Sequence, residues 1–267
     1  MKKLGQFITQ WLISYLNILY FTHGKERRQA QELAMEHNPA ARLLDLGCRE
    51  GDGTLRLGQR VGTTELLGMD YNREVLALAA RRGILSIQAD LNQSIPLIDD
   101  CIDVITASDI LEHLVNPFVF VSEMYRVLQP GGYIVLDTPN LASWHNIFAL
   151  LMGVQPFSGP NITSMDDADI GFVQDMHRVH QRSSQELISA NREKHELNRH
   201  IVVIAYKSLI KLFVRCGFEV VDARGFGYYP FPPPLARLLQ RLDPKHAHHI
   251  MIKATKPAKH NNQPAST

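Results

Sequence analysis

The stretch from Ala41 to Leu136 constrains the fold most, because strand-length apolar runs alternate there with helical patterns. Residues 42–46, 65–69, 84–89, 102–107 and 133–137 read as strands, and residues 54–60, 72–82 and 117–128 as helices. In the second helix Val75, Leu76, Ala79 and Ala80 share one face and Gly83 stops it; in the third, proline opens the helix and "QPGG" closes it. Strand and helix alternating at this spacing predict βαβ units and a parallel sheet. The fold class expected is α/β, with helices on both faces of the sheet.

Beyond Asn140 the rhythm changes. Residues 143–151 read as a helix, with Trp144, Phe148 and Leu151 spaced for a core face. "GVQPFSGPNITSMDDADIGF" reads as loop, and "SSQELISANREKHELNRH" as a polar helix opened by a capping box of Ser183 and Glu186. Residues 206–216 read as a helix stopped by Gly217, and "FEVVDARGF" and "HHIMIKATK" as the last two strands. "YYPFPPPLARLLQ" between them cannot be a central strand. His177 and His180 fall in the long insertion. His246, His248 and His249 enter a strand whose side chains alternate between faces, and read as surface imidazoles rather than a metal tract.

The N-terminus stands apart. From Leu4 to Thr22 there is no charge, and Lys2, Lys3, Lys25, Arg27 and Arg28 flank the run. Its apolar residues keep to one helical face, and its polar ones make it a poor spanning segment. No cleavage signal follows. Two readings stay open: a helix packed on its own domain, which is preferred, and a helix lying on an anionic membrane through residues 4–21. The organisation expected is a helical extension at 1–38, a domain at 39–257 with a cover at about 141–199, and a structureless tail at 258–267. A net charge of +1 over 267 residues gives no global attraction to nucleic acid, and none is expected as a partner. Three cysteines, Cys48, Cys101 and Cys216, sit in apolar stretches and read as reduced and buried, which fits the cytoplasm.

In an open parallel sheet the ligand lies beyond the carboxyl ends of the strands. Four ends carry information. In "LLDLGCREG" Gly47 permits a tight turn, and Gly51 and Gly53 permit close approach of the next helix. "LLGMDYN" sets Asp70 about twenty residues on, where a carboxylate can accept from ribose hydroxyls. "IQADLN" brings Asp90 to the mouth, and "DVITASDILEHL" brings Ser108, Asp109, Glu112 and His113. The spacing from Asp45 through Asp70 and Asp90 to Asp109 points to a nucleoside-bearing cofactor. Asp45 and Glu50 flank the loop, which disfavours pyrophosphate and suits a cationic ligand with an amino group.

From about residue 40 to 256 the chain resembles the class I S-adenosylmethionine-dependent methyltransferases, and within them the branch of ubiquinone-biosynthesis O-methyltransferases. "LLDLGCREG", "GMDYN", "QADLNQSIPL", "IDVITASDILEHL" and "VLQPGGYIVLDTPN" carry the likeness in combination. The resemblance implies a seven-stranded Rossmann-like sheet with the last strand antiparallel. It implies that Gly47, Cys48 and Gly51, beside Asp45, meet the methionine moiety. It also implies that Asp70 with Tyr71 takes the ribose, that Asp90 with Leu91 faces the adenine, and that Ser108 borders the cofactor. Arg49 stands where the family has a middle glycine; it is tolerated with φ below zero and its side chain in solvent, and harmful if the backbone must turn left-handed.

The implied reaction is methyl transfer to a hydroxyl of a small molecule, lipid or glycan precursor, with His113, His145 or Asp109 as the base. Asp109-x-x-Glu112-His113 with a distant His200 matches a divalent-metal set of some relatives. Bracing of the segment after the fourth strand is the simpler reading of those residues. The alternatives are a cofactor-binding scaffold that does not turn over and a nicotinamide-dependent dehydrogenase; the glycine order and the flanking acids disfavour the latter. The oligomeric state is not legible.

Overall fold

The computed structural model describes residues 2–159 and 200–258. The polar helix with Ser183 and Glu186, His177, His180, most of the expected cover and the tail lie outside the described residues. Of these, 30–138, 207–223 and 251–258 form one compact unit, and 2–29, 139–159, 200–206 and 224–250 another.

Seven strands make one sheet: β1 Leu43–Leu46, β2 Leu66–Asp70, β3 Leu85–Gln88, β4 Ile102–Ser108, β5 Leu128–Pro139, β6 Glu219–Phe226 and β7 His249–Thr255, in the order β3-β2-β1-β4-β5-β7-β6. β1 pairs in parallel with both β2 and β4, and β5 in parallel with β4. Between the paired residues Gly131 N–H···O Lys256 and Asn140 N–H···O His248, one chain index rises while the other falls, so β7 runs antiparallel to β5. The helices between strands are α2 Asp52–Val61, α3 Arg73–Arg81, α4 Pro117–Val127 and α6 Tyr206–Arg215, with a 3-10 turn at Leu111–His113. Every residue of β1 is buried, as a central parallel strand covered on both faces requires. Leu44, Ile105, Ile134, Phe120 and Phe213 are among the side chains buried in this unit.

"QPGG" does not end a helix ahead of a strand; it lies inside β5. Pairing jumps from Ile102–Leu128 to Val104–Tyr133, so the chain makes an excursion at this point. Gly131 takes φ 85°, and a Cβ on Gly132 would sit 2.8 Å from Asp103 O, so neither can be an ordinary residue. The Lys256 ammonium anchors the excursion, donating to Tyr125 O, Leu128 O and Asp100 Oδ1 at 2.6–2.8 Å.

In the other unit, helix α1 (Lys2–Ala34, its last turn belonging to the first unit) buries Leu16 and Leu19 against Tyr229. Two further expectations change here, and the proline-rich segment, as expected, is no central strand. Helix α5 (Trp144–Leu151) leaves Trp144, Phe148 and Leu151 exposed, and buries Asn146 and Ala149 instead. The polar residue wins because its amide is fully used: Nδ2 donates to Asn140 O at 3.0 Å and Oδ1 accepts from Ser158 N at 3.0 Å. The proline-rich segment becomes helix α7 (Pro233–Leu242), with proline in its first turn, where no N–H is needed. His248 and His249 are half-buried rather than on the surface. β7 begins only at His249, so the alternation of faces does not yet apply, and their Nδ1 atoms lie 2.6 Å apart beside His145 and Tyr229. Of the cysteines only Cys48 is buried; Cys101 and Cys216 are half-exposed, and all three are free thiols. No described helix is long and apolar enough to cross a membrane.

Candidate active site

The loop from β1 to α2 is built on left-handed backbone. Gly47 has φ 83°, Arg49 φ 51° and Gly51 φ 86°. Arg49 therefore does not keep φ below zero, and its left-handed backbone costs an L-residue roughly 1–2 kcal/mol. Its side chain is exposed, as expected. The turn aims the Arg49 backbone N–H at Asp70 Oδ2, 3.1 Å away, while Asn72 N–H donates to Oδ1 at 2.8 Å. Each carboxylate oxygen keeps a lone pair for a further donor. Gly47 N–H and Cys48 N–H both donate to Met69 O (2.8 and 3.0 Å), so the loop is pinned to the end of β2.

Glycine is needed at 51 for a second reason: a Cβ there would lie 2.3 Å from Ile84 Cδ1. At Gly53 the nearest atom to a Cβ is Asp45 Oδ2 at 3.9 Å, so close approach does not require that glycine. Gly68 does need to be small, since its Cβ would fall 2.6 Å from Cys48 Sγ. Burial, and then the Asp45 and Asp70 carboxylates, push the Cys48 thiol up to about 12, so it stays protonated. Asp45 is buried in β1, with Thr54 and Thr106 hydroxyls donating to it at 2.5 and 3.2 Å; burial raises its pKa, and these bonds oppose the rise. Asp45 thus ties β1 to α2 and β4.

At the end of β2 Tyr71 is exposed, beyond β3 Asp90 is exposed with its Oδ1 accepting from Asn92 N–H at 3.0 Å, and Leu91 is buried. At the end of β4, Asp109 also adopts a left-handed backbone, φ 49°, and its N–H donates to Asp137 O at 3.1 Å. Glu112 is buried and accepts from Thr138 Oγ1 at 3.0 Å. Its carboxyl is held well above the usual carboxylate range by burial, and then by the Asp109 and Asp137 carboxylates. His113 Nε2 lies 3.9 Å from Glu112 Oε1.

The same unit contributes residues that sequence reasoning missed. Gln31, from the last turns of α1, is buried and donates through Nε2 to Ser108 Oγ (2.7 Å) and to the Asp137 carboxylate. It was invisible because it sits in what reads as a separate extension. His145 and His200 lie in the other unit. His145 is half-buried with its Nε2 3.4 Å from the hydroxyls of Ser143 and Ser158, and desolvation drives its pKa down to about 3. His200 Nδ1 donates to Ser158 O at 3.1 Å.

This arrangement has known counterparts. Residues 44–136 match the family described as a methyltransferase domain. The chain is similar to a Mycolicibacterium smegmatis protein named "Probable S-adenosylmethionine-dependent methyltransferase", 34% identical over 108 residues, or 40% of this chain and 41% of that one. It is 33% identical over 120 residues to the demethylmenaquinone methyltransferase of Thermus thermophilus, covering 42% and 54% of the two chains. It is also 27% identical over 146 residues to the ubiquinone/menaquinone biosynthesis C-methyltransferase of Geotalea daltonii, covering 50% and 62%. The chain thus spans about half the length of the curated relatives it matches. Among solved structures, an S-adenosylmethionine-dependent methyltransferase from Mesorhizobium loti superposes with TM-score 0.55 at 18% identity, over 85% of this chain and 96% of that one. The cyclase SpnF superposes with TM-score 0.52 at 16% identity, over 86% and 82%. These two likenesses show the fold.

The cofactor of this domain class is S-adenosylmethionine, and the residues present fit it. The strand ends carry Asp70, Asp90 and Asp109, a set of acids that complements a sulfonium and an amino group.

Proposed function

We propose that the chain transfers a methyl group from S-adenosylmethionine to a small-molecule, lipid or glycan-precursor acceptor, with a hydroxyl as the accepting atom. The observation that carries the reading is Asp70, fixed by two backbone N–H groups with acceptor capacity left over, next to a left-handed loop. Gly47, Cys48 and Gly51 would hold the methionine part, Asp70 and Tyr71 the ribose, Asp90 and Leu91 the adenine, with Ser108 at the border. When bound, the cofactor supplies an electrophilic methyl on a sulfonium.

The chain's own residues must orient the acceptor and take its proton. Burial, and then the Asp109 carboxylate, hold the Glu112 carboxyl well above the usual range and disfavour its charged form. Asp109 or His113 beside it then receives the proton. His145, with its pKa depressed to about 3, is the weakest base of the set. Divalent-metal binding through Asp109, Glu112 and His113 is the alternative use of these groups; turnover that rises with added metal would favour it. A carbon acceptor is the second reading, favoured by the printed names of the quinone-biosynthesis relatives. The non-catalytic scaffold is weakened by Arg49, whose strained backbone builds the loop's bond to Asp70 instead of closing it.

Incubation with methyl-tritiated S-adenosylmethionine and an organic extract of cells tests the proposal. Label in an extractable product, absent with Asp70→Ala, supports it, and hydrolytic stability of the labelled bond separates carbon from oxygen. Cofactor binding with no label transferred to any acceptor would move the scaffold reading ahead.

A further inference from the structure

Two helices of the second unit each expose an apolar stripe with basic residues on or beside it. On α1, Trp11, Ile18 and Phe21 are 60%, 60% and 59% exposed, while Leu16 and Leu19 on the opposite side are buried. At 3.6 residues per turn the three exposed side chains and Lys25 fall within an arc of about 80°. Lys25 and Arg28 follow on the same surface and are exposed. On α7, Leu235, Leu238 and Leu242 recur at helical spacing and are all exposed, with Arg237 and Arg241 between them. The two helices are tied by Arg237 Nε to Glu26 Oε1 at 2.8 Å. Exposed apolar residues scattered singly are ordinary; a stripe on each of two linked helices is not.

We infer that this unit docks on the surface of an anionic lipid bilayer through the exposed stripes of α1 and α7. Charge selects this occupant. There is no acid from Met1 to Lys25 and none in α7, and Glu26 is engaged by Arg237. Lysines and arginines bordering an apolar face complement anionic headgroups, and a helix of this kind lies in the interface plane. Trp11 stacks on Tyr15 with ring centroids 5.7 Å apart, giving the broad amphipathic surface that suits the headgroup level. α1 is 33 residues long yet no described helix is apolar enough to span, so it lies on a bilayer rather than through it. The inference is independent of methyl transfer.

The test is partition of the full chain onto phosphatidylcholine vesicles with and without phosphatidylglycerol. The expected result is at least roughly tenfold tighter partition onto the anionic vesicles, weakened by added salt. A Trp11→Ser, Ile18→Ser, Phe21→Ser triple variant should lose roughly tenfold in partition at an unchanged melting temperature, since all three side chains are exposed. Should that variant misfold, Trp144→Phe decides, because Trp11 is then the remaining tryptophan: its emission should shift to the blue with anionic vesicles alone. Equal partition of wild type and triple variant, no partition onto anionic vesicles, or an unshifted Trp11 would overturn the inference. So would a lipid-independent dimer that the triple variant dissociates, which would assign the face to a second copy of the chain.

Discussion

Two turns leave neighbouring strands at the same edge of the sheet, one after β1 and one after β4, and both force a non-glycine into left-handed backbone: Arg49 at φ 51° and Asp109 at φ 49°. The device is shared and the results differ. After β1 the strained residue points its N–H at the Asp70 carboxylate, fixing an acid with acceptor capacity to spare. After β4 the strained residue bonds back to Asp137 O and leads into a cluster of Asp109, Glu112 and Asp137, where burial raises the Glu112 carboxyl well above the usual range. A single carboxylate with two amide donors is a binding group. Three carboxylates crowded around a buried position oppose one another's ionisation. The comparison teaches that backbone strain at a strand end sets geometry, and the number of acids it gathers sets the chemistry.

The comparison can be broken at its most rigid point. Gly51→Val places a Cβ against Ile84 at a φ no branched residue accepts, and should lower unfolding free energy by roughly 2–4 kcal/mol, from overpacking plus left-handed strain. Denaturant unfolding with an unchanged m-value checks it; a loss below about 1 kcal/mol would mean the loop relaxes at little cost. Next in size, Asp70→Asn should weaken binding of S-adenosylhomocysteine by at least about thirtyfold, the loss of one or two hydrogen bonds to a charged group. Binding unchanged within about twofold would break the claim that the first turn is the binding one.

Glu112→Gln sharpens the other side. A carboxyl whose pKa is raised on folding contributes its full stability below its unfolded value, near 4.5, and loses it as pH rises through the folded value. The amide has no proton to lose, so the melting temperature of the variant relative to wild type should climb steadily from pH 5 to pH 8. A difference that stays flat with pH would mean that the crowding does not oppose ionisation of Glu112. The smallest effect is at Arg49→Gly, which relieves the left-handed strain but adds unfolded-state freedom; a net gain of about 0.5–1 kcal/mol in stability is expected by thermal melting, with cofactor affinity kept. A destabilised variant would mean that the arginine side chain itself holds the loop.

Much of the architecture was legible because it rests on period and spacing. The strands of the first unit fall within a residue or two of the apolar runs, apart from the start of β5, and Asp45, Asp70, Asp90 and Asp109 sit at or beyond strand ends as their spacing implied. What was not legible depended on satisfaction of polar groups and on distant partners. No pattern announces that Asn146, not Trp144 or Phe148, turns inward, because that choice is made by the carbonyls of Asn140 and Leu141 and the N–H of Ser158. Gln31 belongs to the acid cluster only because the end of α1 meets β4 and β5, a contact with no local signature. The excursion in β5 looked like a helix stop because the two functions use the same glycines.

Calorimetric titration of the purified chain with S-adenosylmethionine and S-adenosylhomocysteine, beside Asp70→Ala, tests the central claim most directly. Micromolar binding of both ligands, lost in the variant while its fold is retained, is the predicted result. Heat of binding absent from folded wild-type protein, or unaltered by Asp70→Ala, would contradict it.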